Sequence, residues 1–278
     1  MGHLPGRSPW LYAQFHGHPD RQNEILLDHL PRLFDRWDDP PLWWFRRYRE
    51  VTRPDLEQHL GLYLRLPTPE LYGVVAAKVG DWAAELRDCG LVPYVQLATY
   101  HPETGRYGHD EAMAAAEDVF AADSAAALAQ IELSARTGMV PEVVTAASLV
   151  DLAASYAETP AEGMHWLIDH LPQDRGRVDR SLWDETLRLA DPGHDWAALR
   201  AQRGGTSVVL AWHRRREVLG VYCDQLGQQR DPLPVLRSLL HLHHVRTIGV
   251  APKREGVTHH LARAAALRWT AQHRKDRP

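Results

Sequence analysis

Three short stretches hold the residue types that could do chemistry. The first is SLLHLHHVR, from Ser238 to Arg246. It places His241, His243, His244 and Arg246 within two helical turns. Imidazole titrates near neutral pH, so such residues can act as general acids or bases. On a helix His241 and His244 share a face and His243 points elsewhere. A metal site would need a third or fourth ligand in suitable geometry. The stretch has no Asp or Glu, and Cys89 and Cys223 form no ligand cluster. No metal is expected, while a structural role and an acid–base role both stay open.

The second stretch is TYHPETGRYG, from Thr99 to Gly108. Tyr100, Glu103, Arg106 and Tyr107 crowd a turn that leaves a strand, where a rigid sheet can present reacting groups. A salt-bridged loop would carry the same residues. The third stretch is HLGLYLRLP, from His59 to Pro67. Leucines at 60, 62, 64 and 66 alternate with His59, Gly61, Tyr63 and Arg65. A two-residue period makes a strand with one dry face. The other face carries a row that could line a site.

These stretches need elements to hold them. Trp10–His16 reads as a strand, and Asp20 can cap a helix running to about Trp37. Pro40 and Pro41 break the chain before a second strand, Trp43 to Tyr48. The leucine strand is third. Pro69 opens a helix that runs to Cys89 and Gly90 ends it, before a fourth strand within Leu91 to Tyr100. The order β-α-β-β-α-β is the ferredoxin-like split unit, with helices on the leucine face. From Asp110 onward the sequence reads as helices, including Asp110–Thr137, about Leu233–Ile248 and Gly256–His273. The expected fold class is α+β. A sheet subdomain over residues 1–108 precedes a helical subdomain over 109–278 that covers the open sheet face, making one compact catalytic domain with a cleft between the layers.

Composition excludes several classes. A hydrophobic content of 44%, a charged content of 24% and a net charge of −4 describe an ordinary globular protein. Neither a nucleic-acid partner nor a membrane is expected, and no apolar run suggests a signal peptide or a membrane span. Two cysteines fit a reduced, cytoplasmic setting. From Arg237 to Pro278 nine Lys or Arg face two Asp or Glu, which offers a basic surface. The sequence contains no Gly-rich phosphate loop and no G-x-S-x-G elbow. It sets no oligomeric state.

Taken together, the stretches resemble the C-terminal, elimination-type domain of lantibiotic dehydratases, which also occurs alone in thiopeptide biosynthesis. The resemblance rests on W-W-F-R-R-Y (Trp43–Tyr48), the H-L-x-L-x-L-R strand, T-Y-x-P-E-x-x-R-Y-G, A-E-D-V-F-A-A-D-S (Ala116–Ser124) and S-L-L-H-L-H-H-V-R. Members that eliminate glutamate usually read H-L-R-L-R on the third strand, and those arginines hold glutamyl carboxylates. Gly61 and Tyr63 occupy the matching positions here. Loss of two charge-assisted contacts, at about 1.5–3 kcal/mol each, should impair glutamate binding.

The resemblance then implies the pyridine synthase branch, which joins two dehydroalanines of a leader-bearing peptide and expels water and the leader. It implies no cofactor. The partners it implies are a precursor peptide with its leader and a separate dehydratase. Tyr63, Tyr100, Arg106, His243 and His241 are the expected chemical groups. Gly61, which would leave room for the folded peptide, Arg65, Ser124 and Arg246 are expected to bind substrate. Arg263, Arg268 and Arg274 are expected to hold an acidic leader. Two alternatives remain: a glutamate-eliminating lyase, and a non-catalytic scaffold that binds the precursor for a partner.

Overall fold

A computed structural model describes residues 2–50, 58–173, 179–192 and 195–273. The chain forms two compact units, Met1–Arg106 and Tyr107–Pro278. The first holds a four-stranded antiparallel sheet and the second is helical among its described residues, so the class is α+β.

In the first unit β1 (Trp10–His16), β2 (Leu42–Arg49), β3 (Gln58–Arg65) and β4 (Tyr94–Ala98) lie in the order β2-β3-β1-β4. Every pairing is antiparallel. Tyr12 and Trp44 stand opposite Tyr63, Arg46 opposite Gly61 and Tyr48 opposite His59. Side chains alternate between faces, so these residues share one side of the sheet. Leu60, Leu62 and Leu64 share the other with Leu11 and Phe15, and all are at most 2% exposed. Each such burial contributes roughly 1.5–3 kcal/mol.

Helix α1 (Tyr72–Asp88) buries Val75, Val79, Trp82 and Leu86, and the Trp82 ring meets Phe15 edge-on at 4.8 Å. Gly90, at φ +70°, closes it: its N–H bonds Arg87 O and the N–H of Leu91 bonds Leu86 O.

The helical stretch between β1 and β2 departs from expectation. His18, not Asp20, caps it, with Nδ1 accepting from the N–H of Asp20 at 3.3 Å. The stretch begins as a 3₁₀ turn (Pro19–Arg21) and an α turn (Gln22–Glu24). It then widens to a π turn (Ile25–His29) and closes with Leu30–Phe34, short of Trp37. Pro31 is the cause. It has no N–H to offer one turn back, its ring crowds that carbonyl, and the N–H of Leu30 bonds Ile25 O instead.

The second unit contains α2 (Glu111–Thr137), α3 (Pro141–Tyr156), α4 (Pro160–His170), α5 (Arg180–Leu189), α6 (Gly205–Gly227), α7 (Leu236–Thr247) and α8 (Pro252–His273). Small side chains let α2 and α3 approach their neighbours, and α3 buries residues on all sides, including Val143, Ala147 and Leu149. Helix α6 packs along α2, and α8 packs on α3 and α4. Among the described residues no helix is long and apolar enough to cross a membrane.

Candidate active site

The sheet face opposite α1 is an aromatic wall. Tyr63 lies flat between Tyr12, with ring centroids 4.1 Å apart, and Trp44, at 3.5 Å. Tyr100 meets Tyr63 edge-on at 5.3 Å and is itself packed by Trp10, Trp44 and His3. Tyr63 is 3% exposed and Tyr100 5%. Both expected chemical tyrosines are therefore packed into the wall, and the Tyr63 hydroxyl bonds Tyr48.

Gly61 does not open a void as expected. A Cβ there would meet the rings of Tyr48 at 3.0 Å, Tyr12 at 3.1 Å and Tyr63 at 3.3 Å. The space released by the missing side chain is filled by three phenols. Their hydroxyls converge. Tyr48 Oη lies 2.6 Å from Tyr63 Oη, and Tyr12 Oη lies 3.2 Å from His59 Nε2 and accepts from Gln14 at 2.9 Å. Burial, with the charge of neighbouring phenols, pushes Tyr12 up to about 12 and Tyr63 well above its ordinary value. Burial, aided by His16, pushes His59 down to about 4, so the imidazole is neutral.

Charge reaches the wall at Arg46. Arg46 Nη1 lies 3.1 Å from Glu103 Oε1, and Arg106 Nη1 lies 3.0 Å from Glu103 Oε2. The Arg46 guanidinium also stands 4.9 Å from the centroid of the Tyr48 ring. Arg106 sits in the one-turn helix Thr104–Tyr107 and is exposed. Arg65 lies at the end of β3 and lines a cavity of about 580 Å³ with Pro9, Trp37, Leu42 and Leu71, which none of the three phenols lines.

In the second unit the expected residues divide. His243 is fully buried. Its Nδ1 lies 2.7 Å from Asp123 Oδ1, and its Nε2 faces the Gln130 amide at 3.3 Å. Arg246 donates to Asp123 Oδ2 at 2.8 Å and Arg215 to Oδ1 at 2.7 Å. Arg215 reaches on to Asp151 at 3.0 Å. Burial opposes ionisation of Asp123, but His243, Arg246 and Arg215 override it and hold the carboxyl far below the usual range. Burial keeps His243 neutral. This donor pattern has the imidazole N–H on Nδ1, aimed at the carboxylate.

Ser124 is buried beside this hub, and its hydroxyl donates to Phe120 O at 2.8 Å within the helix. His241 reaches solvent and lies 2.7 Å from Glu255. His244 is buried, and burial pushes it down to about 4. Arg263 donates to Ile168 O in the last turn of α4, and Arg268 to Leu187 O in the last turn of α5. Both are thus engaged at helix C-termini, where cations are favourable. Arg274 lies outside the described residues. Among the described residues, no group of three or more His, Cys, Asp or Glu is placed to hold a metal ion.

Sequence reasoning passed over Asp123, Arg215, Tyr12, Tyr48 and Arg46. Asp123 had a signal: an acidic residue amid alanines, next to the chosen Ser124. Arg215 was hidden in a run of basic residues, His213 to Arg216.

Comparison with known proteins places the chain. A family model described as lantibiotic biosynthesis dehydratase C-term matches residues 10–266. The subtilin biosynthesis protein SpaB of Bacillus subtilis is 23% identical over 252 residues, covering 86% of this chain and 24% of that protein. The chain therefore spans about a quarter of that curated relative's length. The tRNA dependent lantibiotic dehydratase MibB from Microbispora sp. 107891 superposes with a TM-score of 0.80 at 27% identity, over 96% of this chain and 29% of that one. The pyridine synthase TbtD, from thiomuracin biosynthesis, superposes with a TM-score of 0.64 at 16% identity, over 95% of this chain and 100% of that one. At that identity the likeness to TbtD is one of fold.

Proposed function

Because the chain belongs to the lantibiotic biosynthesis dehydratase C-terminal family, we propose that it acts on a leader-bearing precursor peptide and forms a pyridine from it. Two dehydroalanines combine in a formal four-plus-two aza-cycloaddition that closes a macrocycle. Water and the leader peptide, as its amide, then leave. The sequence is redox-neutral, and its demands are holding two distant residues together and moving protons.

One observation carries this reading. Gly61 and Tyr63 stand where glutamate-eliminating relatives carry arginines, and three phenols fill the freed space. The buried part of this wall is neutral: Tyr12 and Tyr63 keep their protons and His59 is uncharged. It suits reacting groups that are themselves neutral, such as dehydroalanine and amide. The strand order β2-β3-β1-β4 supports taking the first unit as a ferredoxin-like sheet.

A second reading, glutamate elimination to dehydroalanine, has an observation of its own. Arg46 stands opposite Gly61 in the register and shares Glu103 with Arg106, so two guanidiniums gather at one carboxylate. The two reactions give different masses. Purified protein is incubated with a precursor carrying dehydroalanines, and separately with one carrying glutamylated Ser. Pyridine formation is expected to give a smaller macrocycle and an intact leader amide from the first peptide. Loss of glutamate from the second, with the leader still attached, would replace this reading by elimination. Turnover of neither, with tight binding of both, would leave a scaffold.

A further inference from the structure

Tyr12, Tyr48 and Tyr63 bring their hydroxyls together from three adjacent strands. They are not equivalent. Tyr63 is 3% exposed and Tyr12 7%, while Tyr48 is half-buried and reaches solvent. Burial holds the protons on Tyr12 and Tyr63. Tyr48 accepts or donates a 2.6 Å hydrogen bond with Tyr63, carries the Arg46 guanidinium 4.9 Å from its ring centroid, and stacks on the neutral His59 at 4.5 Å. A negative charge formed on Tyr48 Oη would meet a donor, the Tyr63 hydroxyl, and would spread into a ring that carries the Arg46 guanidinium over it. Arg46 is carried by β2 and paired with Glu103 at 3.1 Å.

We propose that Tyr48 is the acid–base group of this site, with Arg46 as its charge partner and Tyr63 as the residue that positions it. The assignment rests on the proposed reaction for its substrate, an amide of the precursor peptide. Conversion of that amide to its iminol moves one proton from nitrogen to oxygen. Tyr48 gives its phenolic proton to the carbonyl oxygen. As phenolate, hydrogen-bonded by Tyr63 and facing Arg46, it then takes the proton from the amide nitrogen. The proton count and the oxidation state are unchanged. Tyr63, sealed between Tyr12 and Trp44, cannot itself meet substrate through its ring faces.

The test has two arms, and the first does not depend on the reaction. An aryl sulfonyl fluoride sulfonylates phenolate oxygen and releases fluoride. Its rate at each tyrosine of the full-length protein is read by peptide mass mapping. Tyr48 should be labelled about tenfold faster than Tyr94, although Tyr94 is the more exposed at 51%. Arg46→Ala should slow labelling of Tyr48 about tenfold and leave Tyr94 unchanged. Equal rates at the two tyrosines, or no effect of Arg46→Ala, would overturn the proposal.

The second arm is single turnover of the dehydroalanine precursor. Tyr48→Phe should lower the rate at saturating peptide about 10²-fold or more, with peptide affinity unchanged and the folded state verified by circular dichroism. Tyr63→Phe should cost less, about tenfold, and also slow Tyr48 labelling. Wild-type turnover by Tyr48→Phe defeats the proposal while the pyridine reading stands. Fast, Arg46-dependent labelling in a protein that makes no pyridine defeats the pyridine reading and leaves Tyr48 as an activated phenol.

Discussion

At the scale of single residues, Gly61 is the clearest case of one position deciding a site. Its missing side chain admits three tyrosine rings, and those rings are backed by the stack of Tyr12, Tyr63 and Trp44. A methyl group there would have to push Tyr48, Tyr12 and Tyr63, and the last two are held in the stack. Gly61→Ala is therefore expected to lower stability by about 1–3 kcal/mol through overpacking, read as a lower urea midpoint with an unchanged slope. Gly61→Arg, which would place there the arginine expected from the resemblance to glutamate-eliminating members, should disturb the wall further rather than create glutamate binding. Appearance of that binding, by calorimetry with a glutamylated peptide, would show that the phenols yield and the wall is not rigid.

At the scale of elements, the hub on α2 joins three helices through one carboxylate and a fourth through a second. Asp123 meets Arg246 and His243 from α7 and Arg215 from α6, and Arg215 reaches Asp151 on α3. Every partner is at most 2% exposed. Asp123→Asn keeps the shape and removes the charge that two buried guanidiniums require, so a loss of about 3–5 kcal/mol is expected. Ser124→Ala, one position on, removes an uncharged hydroxyl that donates to Phe120 O and should cost less than Asp123→Asn. Guanidinium denaturation of the two variants checks the contrast, and equal losses would deny the hub its weight.

The basic stretch is judged at the same scale. Arg263 is spent on the last turn of α4 and Arg268 on that of α5. Arg263→Ala should then lower the thermal midpoint, while leader affinity, by fluorescence anisotropy, stays within about twofold, because the guanidinium already has a carbonyl partner. A marked loss of leader affinity would restore this stretch as a leader-binding surface.

At the scale of the whole molecule, the neutral buried histidines set an acid limit. His244 and His59 are each pushed down to about 4, chiefly by burial. The unfolded chain takes up their protons below about pH 6.5 and the folded chain does not until about pH 4. Stability should thus fall as pH drops through that window, by up to about 1.4 kcal/mol per pH unit for the fully buried His244. Asp123 acts lower. Its folded value is depressed, so its contribution is present above the ordinary carboxylate range and is lost as pH falls beneath it. Denaturation at pH 7, 6, 5 and 4 should show this slope, and His244→Leu should flatten it. A flat profile in the parent protein would contradict the buried, neutral state.

The sequence by itself determined the local elements. The alternation of Leu60, Leu62 and Leu64 with His59, Gly61 and Tyr63 needs nothing beyond the pleat of a strand to be read. Gly90 and the alanine-rich run to Thr137 are legible in the same way, because caps and helical spacing act over a few residues. Pro31 was equally visible, but its consequence was not, since a π turn depends on where the rest of the helix is anchored. That Gly61 and Tyr63 stand where the family resemblance leads one to expect arginines was legible in the sequence.

Only the tertiary structure decided what surrounds them. Tyr48 lies 15 positions from Tyr63 and Tyr12 lies 47 from His59, and register across strands brings them together. Asp123 meets Arg215 across 92 positions and Arg246 across 123. Composition cannot reveal such partners. A charge in a helix reads the same whether solvent or two guanidiniums surround it, and burial, which separates those cases, is a property of the packed chain.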